Sequence, residues 1–389
     1  MSIPVIVAAK RTAIGRYGGM FREIPPEALA AEVIKALVHE VPVKPGDIDD
    51  VILGNAVGPG GNIARLSALT ACLPVEVPGL TVDRQCGSGL EAINIAARLI
   101  QAGAGEIYLA GGVESTSRAP WKIEKPLSLY GKGFPAIMSR ARFSPDFIGD
   151  PHMGQAANNV ADKYGITREA QDLFALHSQR KAVESIHSGR FQSEIVPFAV
   201  ISGKESRMID TDECPRPDTT QEKLAALPPV FDAEGTVTAG NACPINDGAA
   251  IVLMMSLEKA MSLGMKPVMK YIDSTAAGVD PNYLGIGPVP AVNKLLARQR
   301  LSIRDIDLVE FNEAFASQVL ASLQELNIKA DIVNVGGGAI ALGHPYGASG
   351  AILVTRLCNE MQRMNAARGI TTLGIGGGMG IATLWEKCE

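Results

Sequence analysis

Apolar residues recur along the chain in two rhythms. Short runs at 3–9, 51–55, 80–82 and 107–112 read as strands. Between them the spacing lengthens to three and four. Leu29, Val33, Ile34 and Leu37 put one apolar face on a helix over 26–38, a second helix starts near Ile63, and Leu90, Ile93, Ala97 and Ile100 mark a third. Strands alternating with helices predict a largely parallel, layered α/β sheet.

The same order returns near the C-terminus. Pro-Val-Met-Lys-Tyr at 267–271 parallels Pro-Val-Ile-Val-Ala at 4–8, and 308–312 echoes 51–55. Gly-Ala-Ser-Gly at 347–350 opens a helix as Cys-Gly-Ser-Gly does at 86–89, and 371–377 matches 107–112. The distance between matched positions drifts slowly, which points to an old duplication and two similar halves. Residues 332–355 contain no Asp, Glu, Lys or Arg, but glycines and Pro345 interrupt them. They read as a buried strand, a glycine turn and a packed helix, not a membrane span.

Residues 118–246 have no counterpart. They carry a basic cluster (Lys122, Lys125, Lys132, Arg140 and Arg142), a helical stretch over 167–189 and a polar, Pro-rich run over 210–218. The chain thus divides into an N-terminal half (1–117 with 247–266), an insert (118–246) and a C-terminal half (267–389). The insert is either a solvated excursion or a subdomain covering a pocket.

Composition narrows the partners. Hydrophobic residues at 47% and charged residues at 20% are ordinary for a folded globular chain. A net charge of −5 argues against general nucleic-acid binding. Six scattered cysteines without a C-x-x-C pair indicate neither a zinc site nor a disulfide framework, which fits a reducing cytoplasm. The apolar start reads as a first strand and not a signal peptide, because its positive charges follow it. The four histidines at 39, 152, 177 and 187 make no ligand cluster, so no metal is expected.

The candidate chemistry centres on Cys86, in a turn between a strand and a helix. Ser88 and Glu91 have capping-box spacing, and the helix N-terminus favours a thiolate, the nucleophilic form. A free cysteine is also commonly an inert small hydrophobe. Ligands in layered α/β folds gather beyond the carboxyl ends of strands. His344, in another glycine-rich corner, could therefore share a cleft with Cys86 and activate it, or be a satisfied core histidine. Asn312 closes a strand and could cap the next helix. The glycines at 374–380 could present oxyanion-binding amides, but too little chain follows them for a dinucleotide fold.

Together these motifs resemble the thiolase family, which cleaves 3-ketoacyl-CoA or condenses two acyl-CoA molecules. The resemblance runs through Val-Ala-Ala-Lys-Arg-Thr-Ala (7–13), Asp-Arg-Gln-Cys-Gly-Ser-Gly (83–89), Gly-Gly-Val-Glu-Ser (111–115), His-Met-Gly (152–154) and Gly-Thr-Val-Thr-Ala-Gly-Asn (235–241). It continues through Asn-Asp-Gly-Ala-Ala (246–250), Gly-Ile-Gly-Pro-Val-Pro (285–290), Asn-Glu-Ala-Phe (312–315), Gly-Gly-Ala-Ile-Ala-Leu-Gly-His-Pro (337–345) and Gly-Gly-Gly-Met-Gly (376–380).

The resemblance implies a thiolase fold: two α/β halves in a five-layer αβαβα arrangement, with the insert as a CoA-covering loop domain. It implies Cys86 as the acylated nucleophile, His344 as its base, and a water held by Asn312 that helps polarise the thioester oxygen. The amides of Cys86 and Gly376 would form a second oxyanion hole. His152, Met153, Arg216, Phe231, Leu284, Ala314 and Phe315 match positions lining the CoA or acyl pocket of relatives. No permanent cofactor is implied, only coenzyme A esters as substrates. A homodimer or homotetramer follows from the same likeness, as does a place in fatty acid metabolism.

Two departures stand out. Relatives carry a second cysteine, an acid/base for the carbon–carbon step, where this chain has Gly374, and they usually carry Ser where it has Cys243. Three functions follow as expectations. They are thiolase-type acetyl transfer and thiolysis, other acyl-CoA chemistry at Cys86 (hydrolysis or transfer to another acceptor), and CoA binding without turnover.

Overall fold

The computed structural model describes residues 2–388 apart from 127, 129–134, 139, 203 and 204. Lys132 of the basic cluster lies outside the described residues. The first half comprises β1 (Pro4–Arg11), β2 (Gly15–Arg16), α1 (Pro26–Glu40), β3 (Asp50–Gly54), α2 (Ile63–Thr70), β4 (Gly79–Val82), α3 (Ser88–Ala102) and β5 (Ile107–Ser115). The intervening segment holds β6 (Lys122–Ile123), β7 (Ile137–Met138), α4 (Met153–Tyr164), α5 (Arg168–His187), β8 (Phe198–Ser202), β9 (Glu205–Ile209) and α6 (Gln221–Ala225). The remainder runs β10 (Asn246–Ser256), α7 (Leu257–Ser262), β11 (Met269–Gly278), α8 (Pro288–Gln299), β12 (Leu308–Phe311), α9 (Ala316–Leu326), α10 (Ala339–Leu342), α11 (Tyr346–Met364), β13 (Arg368–Ile375) and β14 (Met379–Lys387).

Two similar half-sheets result. The first is ordered β4-β3-β5-β10-β1 and the second β11-β14-β13-β12; two residue pairs between β1 and β11 join them into one ladder. The expected largely parallel sheet is in fact mixed. Strands are parallel where a helix carries the chain back over the sheet: β3 with β4, β3 with β5, and β12 with β13. The last strand of each half returns without such a crossover and pairs antiparallel, β10 on β5 and β14 on β13.

The buried strand expected after residue 331 is a single bridge, Val309 to Val333. Asn334 accounts for this. Its backbone is left-handed (φ 44°), and its side chain accepts from the Phe311 N–H and donates to the Phe311 carbonyl, both at 2.8 Å. A side chain thus takes the ladder positions that a strand would have used.

Helices α3 and α11 lie between the half-sheets and touch strands of both; α1 covers the outer face of the first and α8 that of the second. This gives the five-layer thiolase-type α/β/α/β/α arrangement. The two central helices cross with their backbones in contact. A methyl group on Gly89 would sit 2.7 Å from the Gly347 carbonyl oxygen, and one on Gly350 would collide with the Leu90 backbone. The repeated small-residue motifs are what allow the crossing.

The intervening segment is anchored by buried ion pairs. Arg11 donates to Asp212 at 2.7 and 2.9 Å and to Glu194 at 2.9 Å, and Arg356 reaches Glu194 at 3.1 Å. Both guanidinium groups also lie over the Phe191 ring, at 5.3 and 4.3 Å. Charges removed from water this completely persist only when paired. The segment is therefore no loose solvated excursion.

The helix crossing carries a measurable consequence. Gly350→Ala should lower stability by about 1–3 kcal/mol, the usual cost of overpacking, read as a drop in the urea or thermal midpoint. Gly46→Ala, where an added methyl meets nothing within 4 Å, should stay within about 0.5 kcal/mol of the parent.

Candidate active site

Cys86 sits immediately before α3. Gln85, one residue earlier, takes a left-handed backbone (φ 47°), which folds the chain tightly off the end of β4. The expected capping box does not form: Gly87 is the N-cap, and Ser88 lies inside the helix. The Ser88 hydroxyl instead donates to the Gln85 carbonyl at 2.6 Å and accepts from the Arg84 N–H at 2.8 Å. It braces the turn, while Glu91 pairs with Arg84 at 3.4 Å.

His344 enters from the opposite helix, just ahead of α11. Its own N–H donates to the Asn246 side-chain oxygen at 2.8 Å. Its ring stands edge-on to Tyr346 with centroids 5.0 Å apart. Nδ1 lies 2.6 Å from the Ser349 Oγ, and that hydroxyl donates its one hydrogen to the Pro345 carbonyl at 2.8 Å. Ser349 can therefore only accept from the imidazole, which puts the ring proton on Nδ1 and leaves Nε2 bare. Nε2 faces the Asn312 side-chain nitrogen at 3.4 Å. Asn312 caps no helix, since α9 starts after Phe315.

Titration in this site is set by burial. Burial pushes the Cys86 thiol up to about 12, against the downward pull of the Gly376 amide and of its own amide. The helix-start amides act in the expected direction but lose, so the resting sulfur is a thiol and not the expected thiolate. Burial alone drives the His344 imidazole down to about 3. Cys243 and Tyr346 are pushed up as well, chiefly by burial, and each lies close enough to Cys86 to feel its charge. Proton transfer from the neutral thiol to the bare Nε2 would create a thiolate and an imidazolium that this site disfavours at rest, so the transfer has to accompany attack on a substrate carbonyl.

The other residues singled out from sequence fall in two groups. Cys243 donates its N–H to the Ala314 carbonyl at 3.0 Å, and the neighbouring Ala242 bridges to Phe315. Phe315 meets Phe231 edge-to-face at 6.4 Å, and the Phe231 ring packs on Gly154 beside His152 and Met153 at the start of α4. Leu284 is buried in a short helical segment against α4. Arg216 is set apart from these, lining a cavity of about 500 Å³ that includes Ala242 and Pro244. Gly376 follows β13 at the start of a glycine turn, with an amide placed to favour the Cys86 thiolate. Gly374 lies within the strand opposite Gly380.

Sequence reasoning missed three supports. Glu114 accepts from the amides of Ala56, Val57 and Gly347 and from the Asn55 side chain, tying both halves together behind Cys86. Burial pushes its carboxyl up to about 7. Asn246 holds the His344 backbone and occupies the space a side chain on Gly343 would need. Ser349 sets the His344 tautomer. Each is a polar residue in an apolar run, the one signal that could have marked them.

Family comparison agrees with the fold. The model for the thiolase N-terminal domain matches residues 4–258, and that for the thiolase C-terminal domain matches 265–387. The chain belongs to the thiolase family. It is 50% identical over 387 residues to a Staphylococcus epidermidis protein named "Putative acetyl-CoA C-acetyltransferase VraB", covering 100% of this chain and 99% of that one. A Staphylococcus aureus protein of the same name is 47% identical, with 100% of both chains covered. The crystal structure of the Bacillus anthracis acetyl-CoA acetyltransferase superposes with a TM-score of 0.94 at 40% identity, covering 100% of this chain and 99% of that one. This thiolase is an acyltransferase by family. Among the described residues no helix is long and apolar enough to cross a membrane.

The titration argument has a direct readout. Because the Cys86 thiol is raised to about 12, its thiolate fraction should grow about tenfold per pH unit below that value. Peptide-resolved iodoacetamide labelling of Cys86 should therefore rise from pH 6 to 9 without a plateau. A plateau near neutrality would reveal a preformed thiolate–imidazolium pair.

Proposed function

We propose that this thiolase transfers acyl groups from coenzyme A thioesters through an acyl-thioester on Cys86, as an acetyl-CoA C-acetyltransferase. The observation that carries the reading is the meeting, at the α3–α11 crossing, of the Cys86 turn with a His344 whose Nδ1 is held by Ser349, beside a Gly376 amide that favours the Cys86 thiolate. Donors preset where charge develops are worth most when water is excluded.

In the first step the Cys86 sulfur bonds to the thioester carbonyl carbon as its proton passes to His344 Nε2. His344 and a water held by Asn312 steady the oxygen of the incoming thioester. The tetrahedral intermediate collapses, the carbon–sulfur bond to coenzyme A breaks, and the leaving thiolate takes the proton from His344. The amides of Cys86 and Gly376 then hold the carbonyl of the acyl-enzyme. The ring of Phe231 and Phe315, with His152, Met153, Leu284, Ala314 and Cys243, lines the path of the acyl and pantetheine chain, and Arg216 meets the nucleotide end. Residues 118–246 serve as the covering domain. No permanent cofactor is needed. Exposed Leu66, Leu69, Val75 and Leu80 on the first half offer an apolar face that a homodimer would cover.

Gly374 favours a second reading. A positioned acid/base is worth roughly 10²–10⁴-fold, and the carbon–carbon step needs one where this chain has no side chain. Acyl-CoA hydrolysis or transfer to another acceptor needs none there.

Acylation tests the first claim. Intact mass after mixing with acetyl-CoA should show one added acetyl group, and Cys86→Ala should show none; equal labelling of that variant would remove the nucleophile. Gly374 separates the two readings. Its backbone is not left-handed, so it admits a side chain, and the nearest obstacle is the flexible tip of Gln318. Gly374→Cys should raise acetoacetyl-CoA cleavage tenfold or more with acylation near the parent rate. No gain, with cleavage already fast in the parent, would mean another group supplies the proton.

A further inference from the structure

Gln318 is the residue nearest the space left by Gly374. It lies on α9, and its stem packs against Gly285, whose missing side chain lets it approach: a methyl there would lie 3.0 Å from the Gln318 Cβ. Its tip ends at β13, with Nε2 2.7 Å from where a Cβ on Gly374 would be. The side chain is 2% exposed, yet Nε2 has no hydrogen-bond partner among the described residues. A buried donor left without a partner is costly, so a water there would be held firmly. Its neighbour Ser317, by contrast, is satisfied by the Ala157 carbonyl at 3.0 Å. Gly374 is the last residue but one of β13, and the next residue, Ile375, packs against Gly87 beside Cys86. The orphan donor therefore lies beside the end of the strand that abuts the Cys86 turn.

We propose that Gln318 is a positioning residue: its Nε2–H holds a water beside Gly374, and that water relays the proton in carbon–carbon cleavage and condensation. The inference rests on the acyl-transfer reading above and supplies the acid/base that this chain lacks. Protons balance along the relay. When the Cys86 sulfur attacks the 3-keto carbon, its proton goes to His344 Nε2. The bond between the α-carbon and the keto carbon then breaks and leaves an enolate. The water gives a proton to the α-carbon and regains one from the His344 imidazolium, so the hydrogen that left sulfur ends on carbon. In condensation every transfer reverses.

The amide cannot itself give up a proton at these pH values, which is why a water is required. An amide also fixes that water without adding a charge beside the enolate. Cys243 is the competing candidate. Its thiol is near enough to Cys86 to feel it, and its backbone is pinned to Ala314, whereas Gln318 is the side chain nearest the space left by Gly374.

Gln318→Met tests the relay, since methionine matches the volume without a donor. Acetylation of Cys86 by acetyl-CoA, followed by intact mass, should stay within threefold of the parent. Exchange of the acetyl-CoA methyl hydrogens in D₂O, followed by NMR, and acetoacetyl-CoA cleavage should each fall tenfold or more. The melting temperature should hold, because the amide's partner is a water and no protein group loses a bond, and a fall would mark the amide as structural. In a Gly374→Cys background the same substitution should cost less than threefold, because the thiol replaces the relay.

Gln318→Met with parent-level exchange and cleavage would overturn the relay and leave Cys86 acylation standing. A parent protein that acetylates but neither exchanges nor cleaves would also overturn it, in favour of transfer to another acceptor. Absence of Cys86 acetylation in the parent would remove the underlying reading itself.

Discussion

The site depends on one steric constraint, the backbone-to-backbone crossing of α3 and α11. Cys86 precedes the first helix and His344 the second, so the separation of their side chains is inherited from the separation of the helix starts. Gly89 and Gly350 remove Cβ atoms that would hold the helices apart, and Gly347 lets the start of α11 lie against β3 and β5. Glu114 then locks the arrangement by accepting from Gly347 on one helix and from the Asn55 loop behind the other. Two half-sheets, each made by strands of its own half, exist around this pair as walls. Catalytic geometry here is a property of helix packing more than of any loop.

Burial at the crossing also decides how protons are stored. His344 is buried and Cys86 largely so, which disfavours both the imidazolium and the thiolate at rest, and the pair waits in its neutral form. The cost of charge is met only when a substrate oxygen arrives to share it with the amides of Cys86 and Gly376. Ser349 contributes by denying the imidazole the wrong tautomer. Its hydroxyl hydrogen is committed to the Pro345 carbonyl, leaving only lone pairs for Nδ1–H. A helix-bound serine five residues away thus determines which nitrogen of His344 is a base.

Much of this was legible in the chain, and the gaps have physical causes. Helical and strand periodicities located most elements of the first half and the matching strands of the second, because their buried faces follow regular spacing, but not β10, α8, α9 or β14. The internal similarity revealed the duplication. Local spacing misled where a side chain had two possible partners. Ser88 chose the preceding turn over its own helix end, and Asn334 replaced a strand that apolar composition suggested. Sheet direction was misjudged because the route by which each last strand returns is not encoded in the strand itself. Cys86, His344 and Asn312 stood out as reactive residues in turns. Glu114, Asn246, Ser349 and Gln318 did not, since their value lies in partners that only the fold brings close.

The buried cluster around Arg11 also dictates an order of assembly. Arg11 belongs to the first strand made, but its carboxylate partners lie 183 and 201 residues later, and among the described residues β1 pairs with β10 and β11 and bridges to Ile195, all later in the chain. At roughly 5–20 residues per second, the first strand waits on the order of 10–40 seconds for the charges that neutralise it. During translation it has neither a ladder nor a counterion. The N-terminal half therefore cannot close as it leaves the ribosome, and its folding is a late event that draws the intervening segment in with it.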